Sequence, residues 1–431
     1  MNAPERPIFG PLQGLRVLDI TVALAGAFTT MLLSDMGAEI IKLESRRHYP
    51  TPTKGLRNPP RGNDAVAMSA GRDYPDSDPG EDPWNRLSWF NAQARGKLDA
   101  TMEVGSELGR EMFLRLVEKS DGLIENNAPG LLEKLGVSPE VLLERNPRFI
   151  VVRMPPLGLS GPDYNTIGFG WHFEDLGGFY KVQGYADGEE VGSIFMDGAS
   201  GPAGANAFLL ALLERRRTGK GSVCEVSQVE NMICHIGDLI LDAQMNDRVP
   251  IRWGNRSPDF APQGVYRCAG ADAWLAVAVR SDEEFAALRR ALGDPESLRD
   301  TSFDDVGGRR SGHDVIDAEI ATWTLPQDKM VAAAVLQEAG VPAGPVLDEA
   351  DASSDPQLHA RHFFEMLVHP SAGAHFHTGA NFHLQTTPTE LWRAAPTVGQ
   401  DNDFVYREII GVSDAEWDAL VADGQIGTDY L

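Results

Sequence analysis

Short apolar runs alternate with helix-like segments through the first third of the chain. Four runs read as buried strands: Leu15–Ile20, Ala38–Glu44, Asp121–Asn126 and Arg148–Met154. Helical patterns lie between or beside them at Phe28–Asp35, Leu108–Glu118, Pro129–Leu135 and Pro139–Arg145. Such alternation predicts an α/β fold with a parallel sheet, whose ligand-binding loops follow the carboxyl ends of the strands.

The stretch Val191–Gly221 joins an aspartate to a run of very small residues and then a helix, which the pattern predicts over Phe208–Arg217. Asp197 stands before this helix or in its first turn. It is therefore either an N-cap or an ionised carboxylate able to act as a nucleophile. The small residues at 198–205 allow either a ligand close to the backbone or tight helix packing.

A smaller α+β lobe is predicted in the second half of the chain. Gly264–Cys268 and Trp274–Val279 have the pattern of a hairpin, and Asp282–Leu292 and Gln327–Ala339 that of helices. The pattern also predicts that the chain stays helical through Ser222–Asp242.

Four segments outside these two lobes' main elements carry predictions of their own. Tyr49–Trp84 is rich in Pro, Gly, Asp and Arg, which predicts either a lid over a site or a disordered excursion. We expect a helix to begin within Gly168–Gly178, an extended linker over Gly340–Leu347, and a last amphipathic helix over Val412–Asp423.

Composition narrows the functional classes. The 431 residues, 42% of them hydrophobic, predict two lobes, and the net charge of −25 argues against a nucleic-acid partner. Three cysteines without C-x-x-C spacing suit a reducing cytoplasm. The first residues carry no secretory pattern and no apolar run is long enough for a bilayer, so we expect a cytoplasmic protein without membrane contact.

Cofactor motifs are weak. The link Ala25-Gly26-Ala27 is not a G-x-G-x-x-G fingerprint, so NAD is not expected. The histidines between His359 and His383 are spaced like ligands in places, but without a motif such as H-E-x-x-H they are interpreted as surface residues, and no metal is expected.

Several motifs, in this order along the chain, resemble those of the class III coenzyme A-transferases, the carnitine-dehydratase and bile-acid-inducible protein family. They are LRVLDI with LAGAFTTMLLSDMGAEIIKLE, LIENNAPGLLEKLGV, NPRFIVVRMPPLGLSGP, Asp197 with ALLERRRTGKG, GNRSPDFAPQGVYRCA, EAGVPAGPVL and DPQLHAR. The resemblance runs from about Pro11 to the end of the chain.

The resemblance implies a large Rossmann-like lobe built from both chain ends, with a smaller α+β lobe inserted. The corresponding division is 1–220 for the first part of the large lobe, 221–335 for linker helices and the small lobe, and 336–431 for the return. Two chains of this family typically interlock as rings, so a homodimer, or a heterodimer with a homologous subunit, is expected.

The resemblance also implies the chemistry. Asp197 occupies the position of the nucleophilic aspartate, which would move coenzyme A from an acyl-CoA, such as succinyl-CoA, to a carboxylic acid through an aspartyl-CoA thioester. Coenzyme A would then be a substrate. Some transferases carry an assisting acidic residue where this chain has Gly170, and Glu174, one helical turn later, can substitute for it.

Family positions that hold coenzyme A map onto a further set of residues. These are Ala25 beside the thiol arm, Arg46 at the nucleotide end, Arg95 and Lys97 from a degraded N-x-N-K-R-S segment, Asn126, and Lys134. Asn127 replaces a usual phenylalanine, and the covering loop SPDFAPQG is hardly glycine-rich.

Two alternative functions remain open at this stage. Racemases of 2-methylacyl-CoA share the fold and the aspartate but pair it with a histidine, where this chain has Phe169; His172 lies three residues away. The chain could instead mainly support a catalytic partner in a heteromeric transferase of the benzylsuccinate type.

Overall fold

The computed structural model of the chain describes residues 10–61, 73–189, 191–193, 195–249, 251–387 and 389–431. The chain divides into two compact units. One takes the chain as far as Gly177, then Ser193–Gly237 and His359–Leu431; the other takes Gly178–Gly192 and Asp238–Leu358. The sequence had placed the borders near residues 220 and 335.

The strands in chain order are β1 Arg16–Asp19, β2 Glu39–Glu44, β3 Lys97–Thr101, β4 Gly122–Glu125, β5 Ile150–Arg153, β6 Ser222–Glu225, β7 Gln263–Arg267, β8 Trp274–Ala278, β9 Ala343–Val346, β10 Phe364–His369 and β11 Gly373–Thr378. The helices are α1 Ala25–Asp35, α2 Thr51–Lys54, α3 Pro83–Arg86, α4 Ser88–Ala94, α5 Glu107–Val117, α6 Leu131–Lys134, α7 Pro139–Arg145, α8 Gly170–Leu176, α9 Phe195–Thr218, α10 Gln228–Cys234, α11 Gly237–Asn246, α12 Asp282–Ala291, α13 Val306–Ser311, α14 His313–Thr324, α15 Lys329–Glu338, α16 Glu349–Ser353, α17 Pro356–Ala360 and α18 Asp414–Ala422. Phe404–Ile410 forms a π-helix.

The first unit is built on a six-stranded sheet in the order β3-β2-β1-β4-β5-β6, with every neighbouring pair parallel. Side chains alternate between its faces, so Val17 packs with α1 and α9 while Leu18 packs with α5 and the π-helix. Because both faces are covered, strands β1 to β5 are buried along nearly their whole length. The predicted α/β fold with a parallel sheet is confirmed.

Helices α1 and α9 pack closely against each other through glycines. A Cβ atom on Gly201 would lie 2.5 Å from Phe28, and one on Gly204 would lie 2.5 Å from Oγ1 of Thr29. Thr29 also donates from Oγ1 to the Gly201 carbonyl at 3.0 Å. For these two glycines, tight helix packing is the correct interpretation of the small-residue run.

The second unit contains the antiparallel sheet β7-β8-β9, and its core lies between this sheet and helices that include α12, α14 and α15. The predicted hairpin is present as β7 and β8. In the first unit, β10 and β11 form a separate antiparallel pair.

Three predictions of secondary structure were wrong. Ser222–Glu225 is strand β6 rather than part of a helix, because it pairs in parallel with β5. Gly340–Leu347 is not only a linker, since Ala343–Val346 pairs with β8. Helix α9 begins at Phe195 and continues through Pro202, well before the predicted Phe208.

The excursion at Tyr49–Trp84 lies partly outside the described residues, and its described parts include α2 and the start of α3. Among the described helices we find none with the length and apolar character needed to span a bilayer.

Candidate active site

A cleft of about 460 Å³ opens at the carboxyl ends of β1 and β4. These strands are neighbours at the point where the strand order reverses, which is where ligands bind in open parallel sheets. The loops that follow β1 and β4 therefore both reach the cleft. Its lining is Val22, Ala23, Leu24, Thr51, Pro52, Trp89, Asn126, Asn127, Ala128, Pro156, Ile167, Gly168, Phe169, Gly170, Trp171, Phe173, Asp197 and Gln228.

The loop between β1 and α1 is fixed by the loop after β4. Oδ1 of Asn126 accepts from the Val22 N–H at 2.8 Å, and its Nδ2 donates to the Val22 carbonyl at 2.9 Å. Nδ2 of Asn127 donates to the Ile20 carbonyl at 2.9 Å. Asn126, predicted to hold coenzyme A, thus shapes this wall of the cleft through both ends of its amide.

Asp197 is half-buried in the first turn of α9 and lines the cleft. Burial raises the pKa of its carboxyl to about 6, against a hydrogen bond from the Ala25 N–H that lowers it. Ala25 is the first residue of α1, so the carboxylate lies at a helix N-terminus, where negative charge is favoured. The arrangement gives a carboxylate that is largely ionised at neutral pH yet only partly solvated.

Glu174 lies fully buried behind Asp197. Its Oε1 accepts from the Met196 N–H at 2.8 Å, and its Oε2 accepts from the N–H and hydroxyl of Ser193 at 3.2 and 3.0 Å. These bonds fix the entry into α9, and the charge of Glu174 further raises the pKa of Asp197. Glu174 is thus next to the predicted nucleophile but is not among the residues that line the cleft.

Aromatic and branched side chains form a rim that the sequence analysis missed. Trp89, Phe169, Trp171 and Ile167 all line the cleft with large exposed fractions. The rings of Phe169 and Trp171 lie 5.4 Å apart between centroids. One sign of this rim is present in the sequence, the large apolar residues in the glycine-containing segment GFGW. Nothing in the sequence indicates that Trp89 lies near that segment.

Comparison with known proteins identifies the family. The model of "CoA-transferase family III" matches residues 12–402. The chain belongs to CoA-transferase family III.

Two relatives and one solved structure illustrate the similarity. A probable CoA-transferase of Mycobacterium tuberculosis is 31% identical over 426 residues, which is 95% of this chain but only 50% of that protein. The succinyl-CoA–D-citramalate CoA-transferase of Chloroflexus aurantiacus is 29% identical over 96% of this chain and 97% of its own length. A CAIB/BAIF family protein from Brucella suis has a TM-score of 0.78 at 26% identity, covering 93% of this chain and all of that one. The chain is thus an enzyme of the family III CoA-transferase class.

Two of the transferase's predicted coenzyme A contacts are buried in ion pairs. Lys97 donates to Oδ2 of Asp19 and to the Ala27 carbonyl, both at 3.0 Å. Burial opposes ionisation of Asp19, but Lys42 and Lys97 outweigh it and lower the pKa of that carboxyl, while burial lowers the pKa of Lys97 to about 8. Arg95 pairs with Asp35 at 2.8 Å and is 2% exposed.

The other two predicted cations lie away from the cleft lining. Arg46 donates to the carbonyls of Asp429, Gly424 and Ile426 at 2.8, 3.1 and 3.3 Å, so it anchors the C-terminal segment of the transferase. Lys134 is exposed at the end of α6. The site therefore brings together Ala25, Asn126, Glu174 and Asp197, and leaves Arg46 and Lys134 outside it.

In the described part of the chain no group of three or more His, Cys, Asp or Glu side chains is arranged to hold a metal ion. Asp197 accepts a hydrogen bond from the Ala25 N–H, is influenced by the charge of Glu174 and shares the cleft with apolar side chains.

Proposed function

We propose that Asp197 is the nucleophile of this transferase and carries coenzyme A as an aspartyl thioester. The observation that supports this most is the placement of its carboxylate, half-buried at the cleft and at the N-terminus of α1, with a pKa of about 6. A carboxylate ionised at neutral pH and partly stripped of water is suited to attack a thioester.

The reaction has two halves: the first transfers coenzyme A from the donor to Asp197, and the second transfers it from Asp197 to the acceptor. An oxygen of Asp197 attacks the acyl carbonyl of the donor, which forms a mixed anhydride and expels the coenzyme A thiolate. The thiolate attacks the aspartyl carbonyl and releases the donor acid, leaving the aspartyl-CoA thioester. The acceptor carboxylate then attacks this thioester to form a second anhydride, and the thiolate takes the acceptor acyl group and regenerates Asp197.

The groups around Asp197 have separate roles in these steps. The Ala25 N–H can donate to the oxygen that gains charge at the aspartyl carbonyl, as backbone donors do in oxyanion holes. Glu174 is a positioning residue in this proposal, since its bonds to Met196 and Ser193 hold the first turn of α9. Asn126 fixes the loop along which the thiol arm would run.

The assembly and location also stay proposals. From the resemblance, we propose that the working enzyme is a dimer of two such chains, or of this chain and a homologue, in the cytoplasm. Reversible dissociation into folded, active monomers on dilution would contradict the interlocked arrangement.

A transfer screen tests the proposed function. The purified chain is mixed with carboxylic acids and with acyl-CoA donors that include butyryl-CoA and succinyl-CoA, the latter because a relative's name includes it, and new acyl-CoA is detected by mass spectrometry. We expect transfer by the wild type and no transfer by Asp197→Asn. Dialysis against a chelator should leave the wild-type rate unchanged. Transfer at the wild-type rate by Asp197→Asn would contradict the proposal.

A further inference from the structure

The cleft beside Asp197 offers no positive charge among its described lining residues. None of them is Lys, Arg or His, and the polar side chains that reach it are Asp197 itself, Thr51, Asn126, Asn127 and Gln228. Both ends of the Asn126 amide already bond to the Val22 backbone. A ligand group that enters this cleft meets neutral amides and apolar surface.

The apolar surface is large where it adjoins the nucleophile. Trp89 and Phe169 are each 43% exposed, Trp171 is 47% exposed and Ile167 is 73% exposed. Gly170, between the two aromatic residues, is in contact with the carboxylate of Asp197. Exposed aromatic rings gathered beside a reactive group are typical of a surface that receives an apolar part of a ligand.

Two buried lysines of an adjoining cavity are already engaged in hydrogen bonds and ion pairs. Lys42 and Lys97 line a small adjoining cavity with Ala27 and Phe90, but Lys97 pairs with Asp19 at 3.0 Å. Lys42 donates to the Thr21 carbonyl at 3.1 Å and lies 3.8 Å from Asp19. Both lysines therefore already have partners within the fold, and the carboxylate of Asp197 is the charged side chain among the described lining residues of the cleft.

We propose that this cleft selects acyl groups that lack a second charge, namely apolar or aromatic monocarboxylic acyl groups, in preference to dicarboxylic ones such as succinyl. The proposal rests on the transfer chemistry proposed above. A second carboxylate would lose water without gaining a cation and would face the negative Asp197, which disfavours it strongly.

The acceptor acid can still enter the cleft with its one reacting carboxylate. Once coenzyme A is attached, Asp197 is a neutral thioester, so the reacting carboxylate of the acceptor meets no charge from it. The Ala25 N–H, at the N-terminus of α1, lies beside the aspartyl carbonyl that the reacting carboxylate attacks. A second carboxylate on the acceptor would still have no positive partner among the described residues of the lining.

Butyryl-CoA and succinyl-CoA make a matched pair, because both carry four acyl carbons and differ at the far end by a methyl group or a carboxylate. The rate of thioester formation at Asp197 is measured for each in a single turnover of the full chain, without acceptor. We expect the apparent second-order rate constant of thioester formation for the apolar donor to exceed that for succinyl-CoA by about 100-fold or more, the factor associated with an unpaired buried charge. Equal rates, or a faster reaction with succinyl-CoA, would overturn the proposal.

Adding a cation to the rim provides an independent test. Ile167→Arg and Trp171→Arg, both at exposed positions, should raise the rate with succinyl-CoA and lower the rate with butyryl-CoA. The control Val421→Arg adds the same charge on α18, away from the cleft lining, and should leave the ratio unchanged. A ratio that stays constant in both rim variants would contradict the assignment.

The two proposals fail in different ways. If succinyl-CoA is preferred and the thioester still forms at Asp197, the selectivity proposal is wrong and the transfer mechanism stands. If neither donor gives a thioester, the transfer mechanism fails, and the selectivity proposal falls with it.

Discussion

Gly170 and Asp197 are in direct contact: a Cβ atom on residue 170 would lie 2.5 Å from Oδ2 of Asp197. No real Cβ atom tolerates this distance, so any side chain at 170 must displace the carboxylate. A side chain at residue 170 and the present position of the Asp197 carboxylate therefore exclude each other, and the acidic group that acts on the pKa of Asp197 is Glu174, on the same helix as Gly170.

Gly170→Ala should consequently reduce thioester formation by about 100-fold, the cost associated with a 1 Å misplacement of a reacting group. Gly198→Ala is the matched control, because it adds a methyl group next to Asp197 in the sequence where a Cβ atom would meet nothing within 4 Å. The measurement is the single-turnover rate with a reactive acyl-CoA. A Gly170→Ala rate equal to that of the control would show that the carboxylate can move freely.

The pH dependence of the reaction should report the pKa of Asp197. Burial raises that pKa to about 6, and a protonated carboxyl cannot attack, so kcat/KM should fall as the pH drops through about 6. Since the charge of Glu174 raises this pKa, Glu174→Gln should move the acid limb to lower pH. Asp175→Asn, an exposed change on the same helix, should leave the limb in place. A limb that stays unmoved in Glu174→Gln would contradict the stated cause of the shift.

The two outlying cations should behave differently. Lys134→Ala should weaken acyl-CoA binding by about 10-fold or more, if this exposed side chain meets a phosphate through a charge-assisted bond of about 1.5–3 kcal/mol. Lys119→Ala, which removes another exposed lysine, is its control. Arg46→Ala should mainly lower the free energy of unfolding, because it removes the donor to three C-terminal carbonyls. Calorimetric Kd values at low salt check the lysine variants and urea unfolding checks Arg46→Ala, and an unchanged Kd in Lys134→Ala would exclude a contact between that side chain and coenzyme A.

Lys97 should matter more for stability than for coenzyme A contact. Lys97→Met leaves Asp19 with less compensation in a fully buried position and should lower the free energy of unfolding by about 3–5 kcal/mol. Lys220→Met removes an exposed lysine and should change it little. Urea unfolding measures both. Unaltered stability in Lys97→Met, together with a weaker acyl-CoA Kd, would instead support the contact inferred from the resemblance.

The sequence predicted the architecture of the first unit well, because apolar strands covered on both faces leave a clear pattern. It missed β6, since Ser222–Glu225 is a four-residue edge strand with alternating exposure that only its pairing with β5 defines. It also missed the true start of α9, because Pro202 and several glycines lie inside that helix.

The candidate site was predicted unevenly for a physical reason. Position alone left Asp197 open between an N-cap and a nucleophile, and the resemblance decided between them; Asn126, Arg95 and Lys97 were likewise assigned to coenzyme A from the resemblance. Neither the resemblance nor spacing along the chain can tell whether a cation points into a cleft or into a buried ion pair, which is where the structure places Arg95 and Lys97. The aromatic rim joins Trp89 to residues 167–171, a contact that depends on the order of strands in the sheet.

The most direct measurement is the trapping of coenzyme A on Asp197. The transferase is incubated with an acyl-CoA donor without acceptor and divided into two samples. One is digested and mapped by mass spectrometry directly, with and without hydroxylamine, and the other is reduced with borohydride before digestion and mapping. We predict a coenzyme A adduct that hydroxylamine cleaves, borohydride reduction to the alcohol at residue 197, and loss of adduct and turnover in Asp197→Asn and Asp197→Ala. Exchange of the α-proton with solvent deuterium without any adduct, or turnover at the wild-type rate by Asp197→Ala, would contradict the account.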